Sequence, residues 1–190
     1  YLEGPQSIPP LKSFKIYVHL FTSTYDICGR EIILQKWSNN GWINITSGVT
    51  NCSGIAEINM ALEETGTHDF RAIFIGDDQY SSAVSSIISI HVLKKVLLNL
   101  SGPSNYPRGR MFTLNVYLSS NHSPVSNKLV RLYRSIDLTN WIMVGENTTD
   151  LNGYTCFKVI ENNSGLYYYR AIFDGDDEYS RAESNIIIIN

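Results

Sequence analysis

The chain has 190 residues, of which 43% are hydrophobic and 17% charged, with a net charge of -3. That apolar share supports packed cores and excludes a disordered tail, while the slight acidity disfavours a broad nucleic-acid surface. The longest apolar run, residues 186–189, is far short of a membrane-spanning helix, and the three cysteines form no CxxC pair of the kind a structural zinc site uses.

Taken in chain order, residues 14–20 (Phe-Lys-Ile-Tyr-Val-His-Leu) are rich in β-branched and aromatic side chains, which fit a pleated, half-buried surface. Asn39, Asn40 and Gly41 signal a turn, as do residues 51–54. Ala56, Ile58 and Met60 alternate with Glu57, Asn59 and Ala61, the period of a strand with one buried face. Phe70, Ala72 and Phe74 are expected to point inward, with Arg71 and Ile73 on the outer face. Gly76, Asp77 and Asp78 form the next turn. No stretch keeps a helical apolar period.

The whole pattern then returns. Residues 71–81 (Arg-Ala-Ile-Phe-Ile-Gly-Asp-Asp-Gln-Tyr-Ser) recur at 170–180 as Arg-Ala-Ile-Phe-Asp-Gly-Asp-Asp-Glu-Tyr-Ser. Trp42 matches Trp141, Gly54 matches Gly153, and Phe14, Val18 and Leu20 match Phe112, Val116 and Leu118. The spacing is 98 residues early in each copy and 99 later, so one residue is gained between Leu132 and Trp141, which predicts a loop. A repeat of this length sets the domains at 1–93 and 94–190. The second copy reads as strands A to G at residues 96–100, 111–118, 128–134, 141–145, 153–160, 166–173 and 184–189. Seven short strands with turns every 8–12 residues predict a two-sheet sandwich. The fold class is therefore all-β, with two tandem seven-stranded sandwiches. An odd strand number puts the termini of a unit at opposite ends, which suits head-to-tail stacking. The start at Tyr1 without Met or signal peptide, and the close on an Ile run, read as a segment of a longer polypeptide.

The run Gly165-x-Tyr167-x-Tyr169-Arg170-Ala171-x-Phe173-x-Gly175-Asp176-x-x-Tyr179-x-x-Ala182-x-Ser184, preceded by Thr149-Asp150-x-Asn152-Gly153, resembles prokaryotic immunoglobulin-like repeats. The first copy carries the same run from Gly66 to Tyr80, with His68 in place of Tyr167 and Phe70 in place of Tyr169. The resemblance covers both copies and implies immunoglobulin-like sandwiches of bacterial or archaeal cell-surface and adhesin-like proteins. No cysteine stands near Val116 or Tyr169, so the inter-sheet disulfide of antibody domains is absent.

Cys28 and Cys52 fall in the B–C and D–E loops, at one end of the first sandwich, where a disulfide is geometrically open to them. Cys156 aligns with Glu57 and is expected to face outward as a lone thiol. Sequons for N-glycosylation occur at Asn44, Asn51, Asn99, Asn121, Asn147 and Asn162. Asp176 and Asp177, with Glu63 and Glu64, are oxygen donors of the type Ca²⁺ takes, although a turn capped by Asp accounts for the acidic loops without a metal. Trp42 and Trp141 recur at one position, which favours a structural role. Trp37 has no aromatic counterpart and is expected in a loop beside Asn39, where it is a candidate contact for sugar or a partner. The four His residues are scattered, and Walker A, HExxH, GxSxG and GxGxxG patterns are absent.

These features point to a non-catalytic, cofactor-free pair of modules from a larger extracellular, cell-surface glycoprotein. The expected role is a spacer or stalk with adhesion as a further capacity. Its partners would be neighbouring repeats of the parent chain and a surface glycan or protein, without nucleic acid or membrane insertion. The alternative is a carbohydrate- or protein-binding module that uses end loops or an exposed sheet face.

Overall fold

The computed structural model describes residues 1–190, which form strands and turns without helices. Two compact units are present, Tyr1–Leu93 and Lys94–Asn190. Unit one contains β1 (Leu2–Glu3), β2 (Ser7–Ile8), β3 (Phe14–His19), β4 (Glu31–Ser38), β5 (Gly41–Val49), β6 (Ile55–Met60), β7 (Gly66–Phe74), β8 (Ala83–Val84) and β9 (Ile88–Val92). Unit two contains β10 (Leu97–Ser101), β11 (Met111–Ser120), β12 (Ser123–Pro124), β13 (Leu129–Ser135), β14 (Ile142–Thr148), β15 (Tyr154–Ile160), β16 (Tyr167–Phe173), β17 (Ala182–Glu183) and β18 (Ile187–Ile189).

In unit one β1-β3-β6 form one sheet and β2-β9-β7-β4-β5 the other, with β8 also on β7. In unit two β10-β11-β15 face β14-β13-β16, which carries β17 and β18. Each unit closes its own core. Ile16, Val18, Ala56 and Ile58 from one sheet of unit one meet Ile32, Leu34, Phe70, Ala72 and Ile90 from the other. In unit two Leu100, Leu114, Val116 and Leu118 meet Val130, Leu132, Tyr169, Ala171 and Phe173. The alternation read at residues 70–74 holds, since Phe70, Ala72 and Phe74 are buried and Arg71 and Ile73 are partly exposed. Each unit is an immunoglobulin-like sandwich.

Two local features differ from the sequence reading, and a third, the partner of the fourth strand, is left open by it. The fourth strand pairs with the third (β5 on β4, β14 on β13), not with the fifth as in a constant-type sandwich. The cause in unit one is the two-residue turn at Asn39–Asn40, which closes Ser38 against Gly41 and forces β4 and β5 into one hairpin. The last strand is interrupted in both copies. The Ser85 hydroxyl accepts the Ala72 N–H at 2.9 Å and the Ser184 hydroxyl the Ala171 N–H at 2.8 Å, so a side chain stands in the ladder where a backbone carbonyl would be. Trp37 lies within β4, not in a loop. The residue gained in unit two does lie in the connection after β13, which spans residues 136–141.

The repeated turn residues act as the local chemistry requires. The Asp150 carboxylate accepts the N–H groups of Asn152 at 2.8 Å and Tyr154 at 2.9 Å, and the Asn51 side chain does the same for Ser53 and Ile55. Gly153 adopts φ 76°, and a Cβ there would stand 2.5 Å from the Leu118 carbonyl oxygen. Asp77 and Asp176 each cap the two N–H groups that follow their turn. Tyr167 donates its hydroxyl to the Asn163 carbonyl at 3.1 Å, a tyrosine-corner bond. His68 makes the equivalent bond to the Glu64 carbonyl at 2.7 Å, so the exchange of Tyr for His leaves the corner intact. Finally, β5 and β14 each carry a bulge. Leu34 faces Thr46 and Gln35 faces Asn44, which leaves Ile45 unpaired, and Val144 is passed over in the same way.

Candidate functional site

The outer face of unit one carries a cluster built on the β4–β5 hairpin. Trp37 faces Trp42 across the ladder, and Gln35 faces both Asn44 and, on β7, Arg71. The two indoles meet edge to face at 5.4 Å, and the Arg71 guanidinium covers Trp42 at 4.4 Å. Arg71 Nε donates to Gln35 Oε1 at 2.8 Å, and Gln35 Nε2 donates to Asn44 Oδ1 at 2.7 Å. Trp37 remains 48% exposed. In unit two the Trp–Arg stack is kept, with Arg170 4.2 Å from the Trp141 ring. The repeated tryptophan thus packs on a repeated arginine at the sheet surface.

Cys28 and Cys52 meet, with sulfur atoms 3.0 Å apart and both residues exposed. Their shared hydrogen bond, reinforced by partial desolvation, holds the Cys28 thiol above its usual pKa. A raised thiol holds less of the reactive thiolate at neutral pH. Cys156 is exposed on β15.

Asp176 is committed within its own unit. Burial pushes its pKa up, but Lys128 at 2.6 Å and the N–H groups of Glu178 and Tyr179 outweigh this and leave it below the usual carboxylate range. The equivalent Asp77, capped by the N–H groups of Gln79 and Tyr80 and paired with Arg30 at 2.5 Å, is also lowered. Asp177 and Glu63 are exposed, and Glu64 Oε2 lies 3.9 Å from Lys36. No group of three or more metal-ligating side chains converges. The sequons at Asn51, Asn99, Asn121, Asn147 and Asn162 are also exposed. Of these, Asn147 donates its Nδ2 to the Cys156 carbonyl at 3.1 Å, and Asn121 sits at φ 46° in the turn between β11 and β12.

Two surface grooves, of about 740 and 680 Å³, are lined respectively by Tyr1, Phe14, Lys15 and Tyr17 and by Asn115, Asn147, Tyr154 and Cys156. Of the histidines, His19 pairs with Asp26 at 2.7 Å and His91 with the Thr67 hydroxyl at 3.2 Å.

A buried polar group appears in unit two that the sequence reading missed. Glu161 is 4% exposed. It receives Arg134 Nη1 at 2.9 Å on both oxygens and the Tyr169 hydroxyl at 2.5 Å. Unit one has Lys36, Leu62 and Phe70 at the matching positions. That apolar Leu62 was the available signal that position 161 faces inward.

The lowered carboxylates predict acid sensitivity. Asp77 and Asp176 are joined by Asp137, which the amides of Asn140 and Thr139 and the Ser135 hydroxyl hold well below its ordinary value. A carboxylate with a depressed folded pKa stabilises the fold above its unfolded pKa of about 4, and loses that contribution as pH falls through the folded value. The thermal midpoint should therefore be flat at neutral pH and fall below about pH 4. Asp137→Asn should shrink that fall in a pH series of melting curves.

No protein-family profile matches the chain, and no curated protein matches it. Among solved structures, a marsupial T cell receptor aligns over 100% of this chain and 72% of its own, at 11% identity and TM-score 0.62. That supports the immunoglobulin-like fold. The D0-D1 domain of intimin aligns over 100% of this chain and 97% of its own, at 14% identity and TM-score 0.39. A Salmonella alpha-2-macroglobulin mutant aligns over 100% of this chain but 14% of its own length, at 13% identity and TM-score 0.37.

Proposed function

We propose that the chain is a pair of non-catalytic immunoglobulin-like modules from a larger extracellular surface protein, serving as a spacer that holds other parts of the parent at a distance. The observation that carries this reading is what the two copies have in common. The retained residues are turn glycines, capping Asp or Asn, the Ser85 and Ser184 ladder caps, and the Trp–Arg stacks. Each of these builds the sandwich, and selection that preserves only scaffold fits a mechanical role. A Cys28–Cys52 disulfide is part of the proposal, because an exposed pair brought together at one loop end suits an oxidising exterior.

The exposed Trp37, beside Trp42 and Gln35, favours a second reading as a carbohydrate-binding module. A glycan array and a cell-binding assay with the purified chain separate the two. A spacer is silent in both assays. Saturable binding to one sugar class, lost in Trp37→Ala, would replace the spacer reading with the second.

A further inference from the structure

We propose that Asn44 carries an N-linked glycan whose first N-acetylhexosamine lies on the Trp42–Trp37 pair, so that the aromatic face of unit one is covered by the protein's own sugar. The inference deepens the extracellular reading and rests on it, since the modification is made along the secretory route. Residues two apart on a strand share a face and stand roughly 7 Å apart. Trp42 and Asn44 are such a pair on β5, and the register sets Trp37 and Gln35 opposite them on β4. The four side chains form one patch, in which Asn44 is exposed and has an aromatic on its own strand and another on the diagonal.

The polar chain orients the acceptor. Arg71 fixes Gln35, and Gln35 binds Asn44 through Oδ1. Asn44 Nδ2, the atom that bears the sugar, makes no hydrogen bond within the protein. One flank of Trp42 is taken by Arg71, but Trp37 keeps 48% of its surface open. The C–H face of a pyranose is apolar and weakly acidic, and it complements the π-face of an exposed indole.

The second copy is an internal control. It keeps the Trp–Arg stack but has buried Ser135 where unit one has Trp37, and Met143 where unit one has Asn44. The added indole and the added acceptor therefore occur together. Asn99 has Tyr117 across the ladder, paired with Tyr154 at 4.6 Å, but Leu97 two residues before it, so it has a tyrosine pair on neighbouring strands and no indole beside it on its own strand.

The covalent step uses a lipid-pyrophosphate-linked oligosaccharide as donor. Asn44 Nδ2 attacks the sugar C1 and a C–N bond forms. The C1–O bond to pyrophosphate breaks, the lipid pyrophosphate departs with the electron pair, and the amide proton passes to a base.

The test is secretion of the full chain from a eukaryotic line that adds mannose-type glycans, followed by peptide mapping and endoglycosidase trimming to one N-acetylglucosamine. Asn44 is expected to be occupied, and the N-acetyl and ring protons of its sugar to be shifted upfield by the indole ring currents. The trimmed form should melt about 4 °C above the Thr46→Val form, which lacks the sequon, and the gain should vanish in Trp37→Ala. Trp37→Ser, which carries the residue that unit two has at this position, serves if Trp37→Ala fails to fold. An empty Asn44, sugar protons at free-sugar shifts, or an undiminished gain in Trp37→Ala would overturn the proposal. Occupancy on secretion but bare Asn44 in protein from its native source would also overturn the proposal and leave the spacer reading to its own binding assays.

Discussion

Replacing Arg134 by alanine should cost unit two about 3 kcal/mol, among the largest effects of any single polar substitution in the chain. The reason is what it leaves behind. Glu161 is almost fully buried, and Arg134 supplies the charge that offsets its desolvation. Without that partner a carboxylate stays inside with only the Tyr169 hydroxyl to meet it. Arg134 itself is 27% exposed, so the low end of the range for buried pairs applies. The complementary result is the more telling one. Unit one meets the same positions with Lys36, Leu62 and Phe70. The triple variant Arg134→Lys, Glu161→Leu, Tyr169→Phe transplants that solution and should be within about 1 kcal/mol of the parent. Denaturant titrations in a Trp37→Phe, Trp42→Phe background would follow Trp141, which then reports on unit two alone. A triple variant as damaged as Arg134→Ala would show that the polar group is not interchangeable with an apolar one.

Oxidising Cys28 and Cys52 should raise the stability of unit one by about 3 kcal/mol, since the bridge closes a 24-residue separation and restricts the unfolded chain. The two thiols give up two protons and two electrons, taken by an external disulfide that is reduced to two thiols. The measurement is the thermal midpoint with and without reductant. The difference should disappear in Cys28→Ser, and Cys156 should remain alkylatable in both states. Equal midpoints in the parent chain, with both thiols titratable before reduction, would reject the bridge.

The strands were legible because each copy checks the other. Phe70 and Tyr169, Ala72 and Ala171, Phe74 and Phe173 repeat inward positions that a single copy would leave to periodicity alone. The pairing of β5 with β4 was not read, although the Asn39–Asn40–Gly41 turn signal was in view. Strand periodicity fixes which face a residue takes, and a two-residue turn additionally fixes its partner. The Cys28–Cys52 encounter was legible from loop placement. The Glu161 group was not, because a carboxylate beside Ile160 at a strand end reads as solvated until its counterpart Leu62 is set beside it. Nor does any one-dimensional signal announce that His68 will reach the Glu64 carbonyl. That equivalence depends on ring nitrogen and phenol oxygen arriving at the same point in space.

The unpaired Ile45 has an evolutionary consequence. A strand displays alternate residues to either side, so the count of residues from the last fixed contact decides which half of its sequence is seen from outside. Because Ile45 stands outside that count, its loss by deletion would straighten the edge and leave every pairing before it in place, with Thr46 still opposite Leu34 and Asn44 still opposite Gln35. Trp42 and Asn44 would keep the outer face with their partners Trp37 and Gln35. Ile45 and Val144 are thus the positions of these edge strands at which a single in-frame codon can be lost while the chemistry that each copy presents stays as it was.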